Sequence, residues 1–275
     1  MLDAVGMTVR LQRAVGCVAT APWAKHAPAN ALRALINPAN EALIGTSRPY
    51  FPRGGPVPAK PPPSLSRTTS GWGGMDAGEN MLYPTQVVDG LVHQHGGQAL
   101  RTALAQAPVI EERPNGEHVR CRVGEAVLTP SPPTLPFDVI AHTPPPFWPS
   151  TPDADQLALH DAHLTSCFVS ALHATSRAAA DAGKTQLFLA LPIIGSGARG
   201  APELAAARIL VRAIRSSQEA AAQLPVEVVV RVVVPAENSS LLQSVMDMEV
   251  DGAMESGMVR CAGVHRNSPP PESGA

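Results

Sequence analysis

The chain has 275 residues, 44% of them hydrophobic but only 4% aromatic, and a formal net charge of −2. That is apolar material for one large domain or two small ones, packed mainly by alanine and small aliphatics. The balanced charge gives no global reason to expect nucleic acid, and no apolar run is long enough to span a bilayer. The four cysteines, Cys17, Cys121, Cys167 and Cys261, are scattered with no CxxC, which fits a reducing compartment rather than a disulfide scaffold or zinc site.

In chain order, Arg10, Arg13, Lys25 and Arg33 stand against a single early acid, Asp3. Such an acid-poor start fits a mitochondrial transit peptide. Alternatively, Met7 to Val18 is the first strand of the domain, which is the reading preferred here. Ala31 to Ile36 predicts a second strand ending at Asn37, and NPANEALIG, from Asn37 to Gly45, begins a helical turn. From Thr46 to Ser70 the prolines at 49, 52, 56, 58, 61, 62 and 63 remove both periodicity and N–H donors. This stretch, continued by glycine-rich sequence to about residue 84, reads as an insertion.

Thr85 to Ala107 is helical in character, broken at Gly96 and Gly97, and Pro108 stops it. His118 to Thr129 predicts a strand with Gly124 as a bulge, and Asp138 to Thr143 a short apolar strand. Gln156 to Ala182 is the longest predicted helix, with Leu157, Leu164, Phe168, Leu172 and Thr175 on one face and Gly183 in the position of a C′ glycine. Val226 to Val234 is the strongest strand signal. Asn238 is placed to cap a short last helix. Beyond Val250 the composition turns to Gly, Ser and Pro, a tail with no reason to fold. The expected organisation is one domain over residues 1–249, with the insertion at 46–84, and a disordered tail over 250–275. Strands alternating with helices predict an α/β fold, its sheet covered on both faces and its ligand site at the carboxyl ends of the strands.

The stretch from Leu187 to Leu210, LFLALPIIGSGARGAPELAAARIL, carries the clearest chemical signal. A buried strand breaks into Gly195, Gly197 and Gly200, then restarts as a helix at Pro202 and Glu203. Backbone N–H groups at such a junction form an anion cradle. A tight β–α turn would need the same glycines.

Four segments in order then resemble the macro domain, an ADP-ribose-binding module. They are NPAN at 37–40, VDGLVHQHGG at 88–97, GEAVLT with DVIAHT at 124–143, and ALPIIGSGARGAPELAAARI at 190–209. The resemblance covers most of Arg10 to Asp247. It implies a three-layer α/β/α fold with a mixed central sheet flanked by helices, and ADP-ribose lying across the strand ends.

The resemblance also implies roles. Asn40 would read ribose hydroxyls and take part in catalysis, though a turn asparagine is the alternative. Asn37 would brace the loop. Asp89 would orient or deprotonate water, or else only stabilise its helix start. Gly195, Ser196, Gly197, Ala198, Arg199 and Gly200 would hold the diphosphate, with Gly74 as a further contact from the first loop. His93 and His142 read as satisfied structural histidines, and Trp72 as a ligand platform or a loop anchor.

Three departures stand out. Gly16-Cys17-Val18 lacks the acid that reads the adenine amino group in the family. Arg199 replaces a stacking aromatic, and could hold a phosphate, stack its guanidinium plane or be a solvated charge. The first loop is stretched from Gly45 to Val88, which makes Asp76 a rival to Asp89. Asp89 is preferred because only there is the Val-Asp-Gly context kept.

The implied function is removal of ADP-ribose from a modified protein carboxylate or from O-acyl-ADP-ribose, with ADP-ribose as ligand, no cofactor and no metal. A reader of ADP-ribose or ADP-ribosylated protein without chemistry is the alternative. A third reading is an interaction protein whose PVPAKPPP run docks a partner. Neither nucleic acid nor membrane is expected as a partner, and the setting is intracellular: cytoplasmic, nuclear or mitochondrial.

Overall fold

The computed structural model describes residues 9–20, 24, 27–46, 51–53, 81–114, 116–219 and 226–255. In chain order the elements are β1 (Val9–Val15), β2 (Ala31–Pro38), β3 (Phe51–Pro52), β4 (Met81–Leu82), α1 (Val88–Ala105), β5 (Glu111–Glu112), β6 (His118–Val119), β7 (Val127–Pro130) and β8 (Val139–Thr143). Next come α2 (Ala154–Asp181), β9 (Gln186–Leu191), α3 (Glu203–Glu219), β10 (Glu227–Val234) and α4 (Ser239–Glu255). The main sheet runs β1-β10-β9-β2-β8-β7. Its first five strands are parallel and β7 is antiparallel, so the sheet is mixed and every parallel strand ends at the same edge.

Alternation of side chains sorts the sheet's residues into two cores. Leu32, Ala34 and Ile36 of β2, Leu187, Leu189 and Leu191 of β9, and Val228, Val230 and Val232 of β10 pack with α2, α3 and α4. Leu35, Ile140, Ala190 and Val233 face the other way, against Val92, Leu100 and Leu104 of α1. The result is three layers, α/β/α. Strands buried on both faces need near-continuous apolar runs, which is why β9 and β10 were legible as LFLAL and VVVRVVV.

Glycine marks the helix boundaries as expected. α1 carries a non-helical residue at Gly97 (φ 56, ψ −146), the predicted break. α2 ends in a Schellman arrangement, with Gly183 at φ 66 and bonds from Gly183 N to Ala180 O and from Lys184 N to Ala179 O. Of its predicted buried face, Leu164, Phe168, Leu172 and Thr175 are buried and Leu157 is half-exposed.

Three local expectations are corrected. The segment after Asn37 is not helical: a turn closes from Leu43 N to Asn40 O, and Leu43 takes a left-handed φ of 58. His118 to Thr129 is two short strands in different sheets. Gly124 lies in the loop between them, at φ 85, packed on Ser166. The last helix does begin directly after Asn238, but it is not short: α4 runs 17 residues to Glu255, past the point where the composition changes, and the Asn238 amide donates to the Glu203 carboxylate.

Candidate functional site

Pro38 ends β2 beside Thr143, the last residue of β8, and Asn37 pairs in register with His142. Both Asn37 and His142 are fully buried. The Asn37 amide nitrogen donates to Asp89 Oδ1 (2.8 Å) and to His142 Nδ1 (3.1 Å). Nδ1 therefore accepts, and the ring donates through Nε2 to Thr129 Oγ1 (2.9 Å). Burial, with His93 nearby, holds the His142 pKa down at about 3. His142 is the satisfied structural histidine expected from its apolar surroundings.

Asp89 lies in the first turn of α1, which comes after a 3-10 turn at Pro84–Gln86. Gly90 lets that turn approach: a Cβ there would meet the Pro84 carbonyl oxygen at 2.0 Å. Only 16% of the Asp89 side chain is exposed. Burial raises its pKa, against the opposing pull of His93, the Asn37 hydrogen bond and Arg199. The His93 ring stands 3.5 Å from the carboxylate, and its buried Nε2 has no hydrogen-bond partner among the described residues. The contact of His93 among the described residues is thus electrostatic, toward Asp89, rather than a hydrogen bond.

The two asparagines stand differently from the roles that the resemblance implies. Asn37 reaches the acid. Asn40 donates to Gly45 O (2.8 Å) and accepts from Ile44 N (3.3 Å), so its amide braces the turn while lining the cleft.

The loop after β9 is shaped by Gly195 (φ 88) and Gly200 (φ 79) and closed by bonds from Gly200 N to Gly197 O and from Ala201 N to Gly195 O. A side chain at Gly195 would also press on Leu164. Among the described residues no hydrogen bond uses the N–H groups of Ser196, Gly197, Ala198 or Arg199. The Ser196 hydroxyl donates to Ile193 O (2.9 Å). Arg53, directly after β3, donates to Ser196 O (3.1 Å), held there by the pairing of Phe51 with Leu82.

Arg199 is not a solvated charge. Its guanidinium donates to Ala39 O (3.2 Å) and lies 4.1 Å over the Phe147 ring, and burial lowers its pKa. Its carbonyl accepts from Trp148 N. Phe147 is a site residue that sequence reasoning missed. Its only signal was a rare aromatic pair, FW, just after the proline cluster that ends β8.

Asn40, Asp89, Arg53, Phe147 and the loop after β9 line one cleft of about 1210 Å³ at the carboxyl edge of the sheet, while Asn37 and His142 are buried and do not line it. It gathers Asn40, Asp89 and residues 195–200 on one side, and extends past Val234 and Pro235 to Glu203 and Asn238. Gly74, Trp72 and Asp76 lie outside the described residues.

Residues 76–210 match the family model described as Macro domain. The Oceanobacillus iheyensis macrodomain, solved as a variant with ADPR, is 21% identical with a TM-score of 0.56, covering 88% of this chain and 94% of that one. The same macrodomain with ADP is 21% identical with a TM-score of 0.55, covering 88% and 92%. The macro domain of ganglioside induced differentiation associated protein 2 is 20% identical with a TM-score of 0.52, covering 89% and 84%. No curated protein matches the chain. At these identities the structural likeness shows the fold. Family match and fold agree: residues 76–210 belong to the macro domain family, and the described residues have the macrodomain fold.

Proposed function

We propose that the cleft binds ADP-ribose and hydrolyses its ester to a carboxylate, on a modified protein side chain or in O-acyl-ADP-ribose. The observation that carries this reading is a buried carboxylate in the same cleft as a loop of uncommitted N–H groups. The loop at 195–200 takes the diphosphate, as backbone N–H groups at a β–α junction do. The distal ribose then lies toward Asp89, between the β2 turn and Arg199 on Phe147.

Water adds across the acyl–ribose bond and releases ADP-ribose and a carboxylic acid. Asp89 accepts the proton of the attacking water. Its raised pKa suits that task, and the Asn37 bond fixes its orientation. Arg199 places positive charge beside the reacting ester. No cofactor enters the scheme. Gly74 stays a proposed contact, and an ADP-ribosylated protein is the proposed partner.

One observation favours a reader instead. One hydrogen and one lone pair of the Asn40 amide are engaged by Gly45 O and Ile44 N, which holds the remaining donor and acceptor in place for binding ribose hydroxyls, and no hydrogen bond joins Asn40 to Asp89. Calorimetry with ADP-ribose, then incubation with mono-ADP-ribosylated protein, separates the two. Hydrolysis by the parent, lost about 100-fold or more in Asp89→Asn with affinity kept within a few-fold, supports the enzyme. Binding without turnover in the parent makes the protein a reader, and no binding removes both readings.

A further inference from the structure

The resemblance leaves the adenine unread, because Gly16-Cys17-Val18 carries no acid. Strand order says where the base must lie. The diphosphate loop comes after β9, while Asn37, Phe147 and the start of α1 sit on the side of β2 and β8. A ligand with its diphosphate over β9 and its distal ribose toward β2 must extend the other way, over β10 and β1. Those strand ends are tied together by the bond from Gly16 N to Val234 O (3.0 Å). The cleft continues there, with Val233, Val234 and Pro235 as apolar walls.

Three polar side chains line that end, of which Glu237 is exposed and Glu203 and Asn238 are half-buried. Glu203 projects from the first turn of α3, and Asn238 from the turn after β10. The Asn238 amide donates to Glu203 Oε1, which orients the carboxylate; nothing among the described residues bonds Oε2. The exocyclic amino group of adenine is a donor, and a carboxylate oxygen only accepts.

We propose that Glu203 reads the 6-amino group of adenine and that Asn238 is its positioning residue, a specificity element built from α3 and the β10 turn in place of one after β1. The inference rests on the ADP-ribose reading of the same cleft. A helix-start glutamate that only meets the dipole of α3 would bind no base.

The test is calorimetry of the full chain with ADP-ribose and with its analogue bearing hydrogen in place of the 6-amino group. The parent is expected to prefer ADP-ribose by about tenfold or more, and Glu203→Ala to reduce that preference to under about threefold with the melting temperature retained. Asn238→Ala keeps the carboxylate but frees it, and is expected to lose part of the preference, which carries the test should Glu203→Ala fail to fold. Equal affinity of the parent for the two ligands, or an unchanged preference in both variants, overturns the inference and leaves ADP-ribose binding standing. Failure of the parent to bind either ligand overturns both.

Discussion

His142 is bonded to the Asn37–Asp89 pair without lining the cleft. Its ring is neutral because it is fully buried between Asn37 and Thr129, and a proton on Nδ1 would break its bond from Asn37, whose other amide hydrogen holds Asp89. The folded pKa of about 3 lies below the ordinary 6.5, so the unfolded chain binds the extra proton. Stability is therefore full above pH 6.5 and falls as pH drops from 6.5 toward 3, by an amount on the order of 4 kcal/mol from this group alone. Denaturant melts across that window check it. His142→Gln, which cannot titrate, is expected to be less stable at pH 7 and flatter with pH. The buried thiols behave in the opposite sense. Burial pushes Cys121 up to about 12 and raises Cys167, so both stay protonated and inert at neutral pH.

Among the elements, α1 depends most on a single missing atom. Its N-terminus has no side-chain cap, and the first turn is set by contact with the 3-10 turn at Pro84–Gln86. The approach leaves no room at Gly90, where an added Cβ would stand 2.0 Å from a backbone oxygen that cannot swing aside. Gly90→Ala must shift α1 and carry Asp89 away from Asn37. A loss of about 2 kcal/mol or more is expected, seen as a melting temperature lower by about 4 to 8 °C, together with weaker turnover. An alanine variant with parental melting would mean that the turn is free to move.

At the scale of the whole molecule, five parallel strands deliver their carboxyl ends to one edge, and the cleft is lined by the turns that leave β2, β8, β9 and β10. Beside this edge β3 pairs with β4, the two elements that flank the stretch read as an insertion. Loop length itself contributes little to stability, about 0.6 kcal/mol per doubling. Replacing residues 54–80 by an Asn-Gly turn is therefore expected to leave the melting temperature unchanged or slightly raised. A drop of more than a few degrees would show that the segment belongs to the core and is no insertion. If Gly74 contacts the ligand, the same variant binds ADP-ribose more weakly while melting normally.

The order of elements and the outline of the site were readable from residues alone, because both rest on local chemistry. Apolar runs such as LFLAL and VVVRVVV bury on two faces wherever they are placed. Glycines at 97, 183, 195 and 200 carry backbone angles that other residues avoid. Partnerships across the sheet were not readable. That Asn37 rather than Asn40 grips Asp89, and that Phe147 lies under Arg199, depend on strands β2, β8 and β9 lying side by side. Sequence spacing determines which residues an element presents. Only the packing of the sheet decides which of them meet, because those contacts join residues 50 to 160 positions apart, such as Asn37 with Asp89 and Arg199 with Ala39.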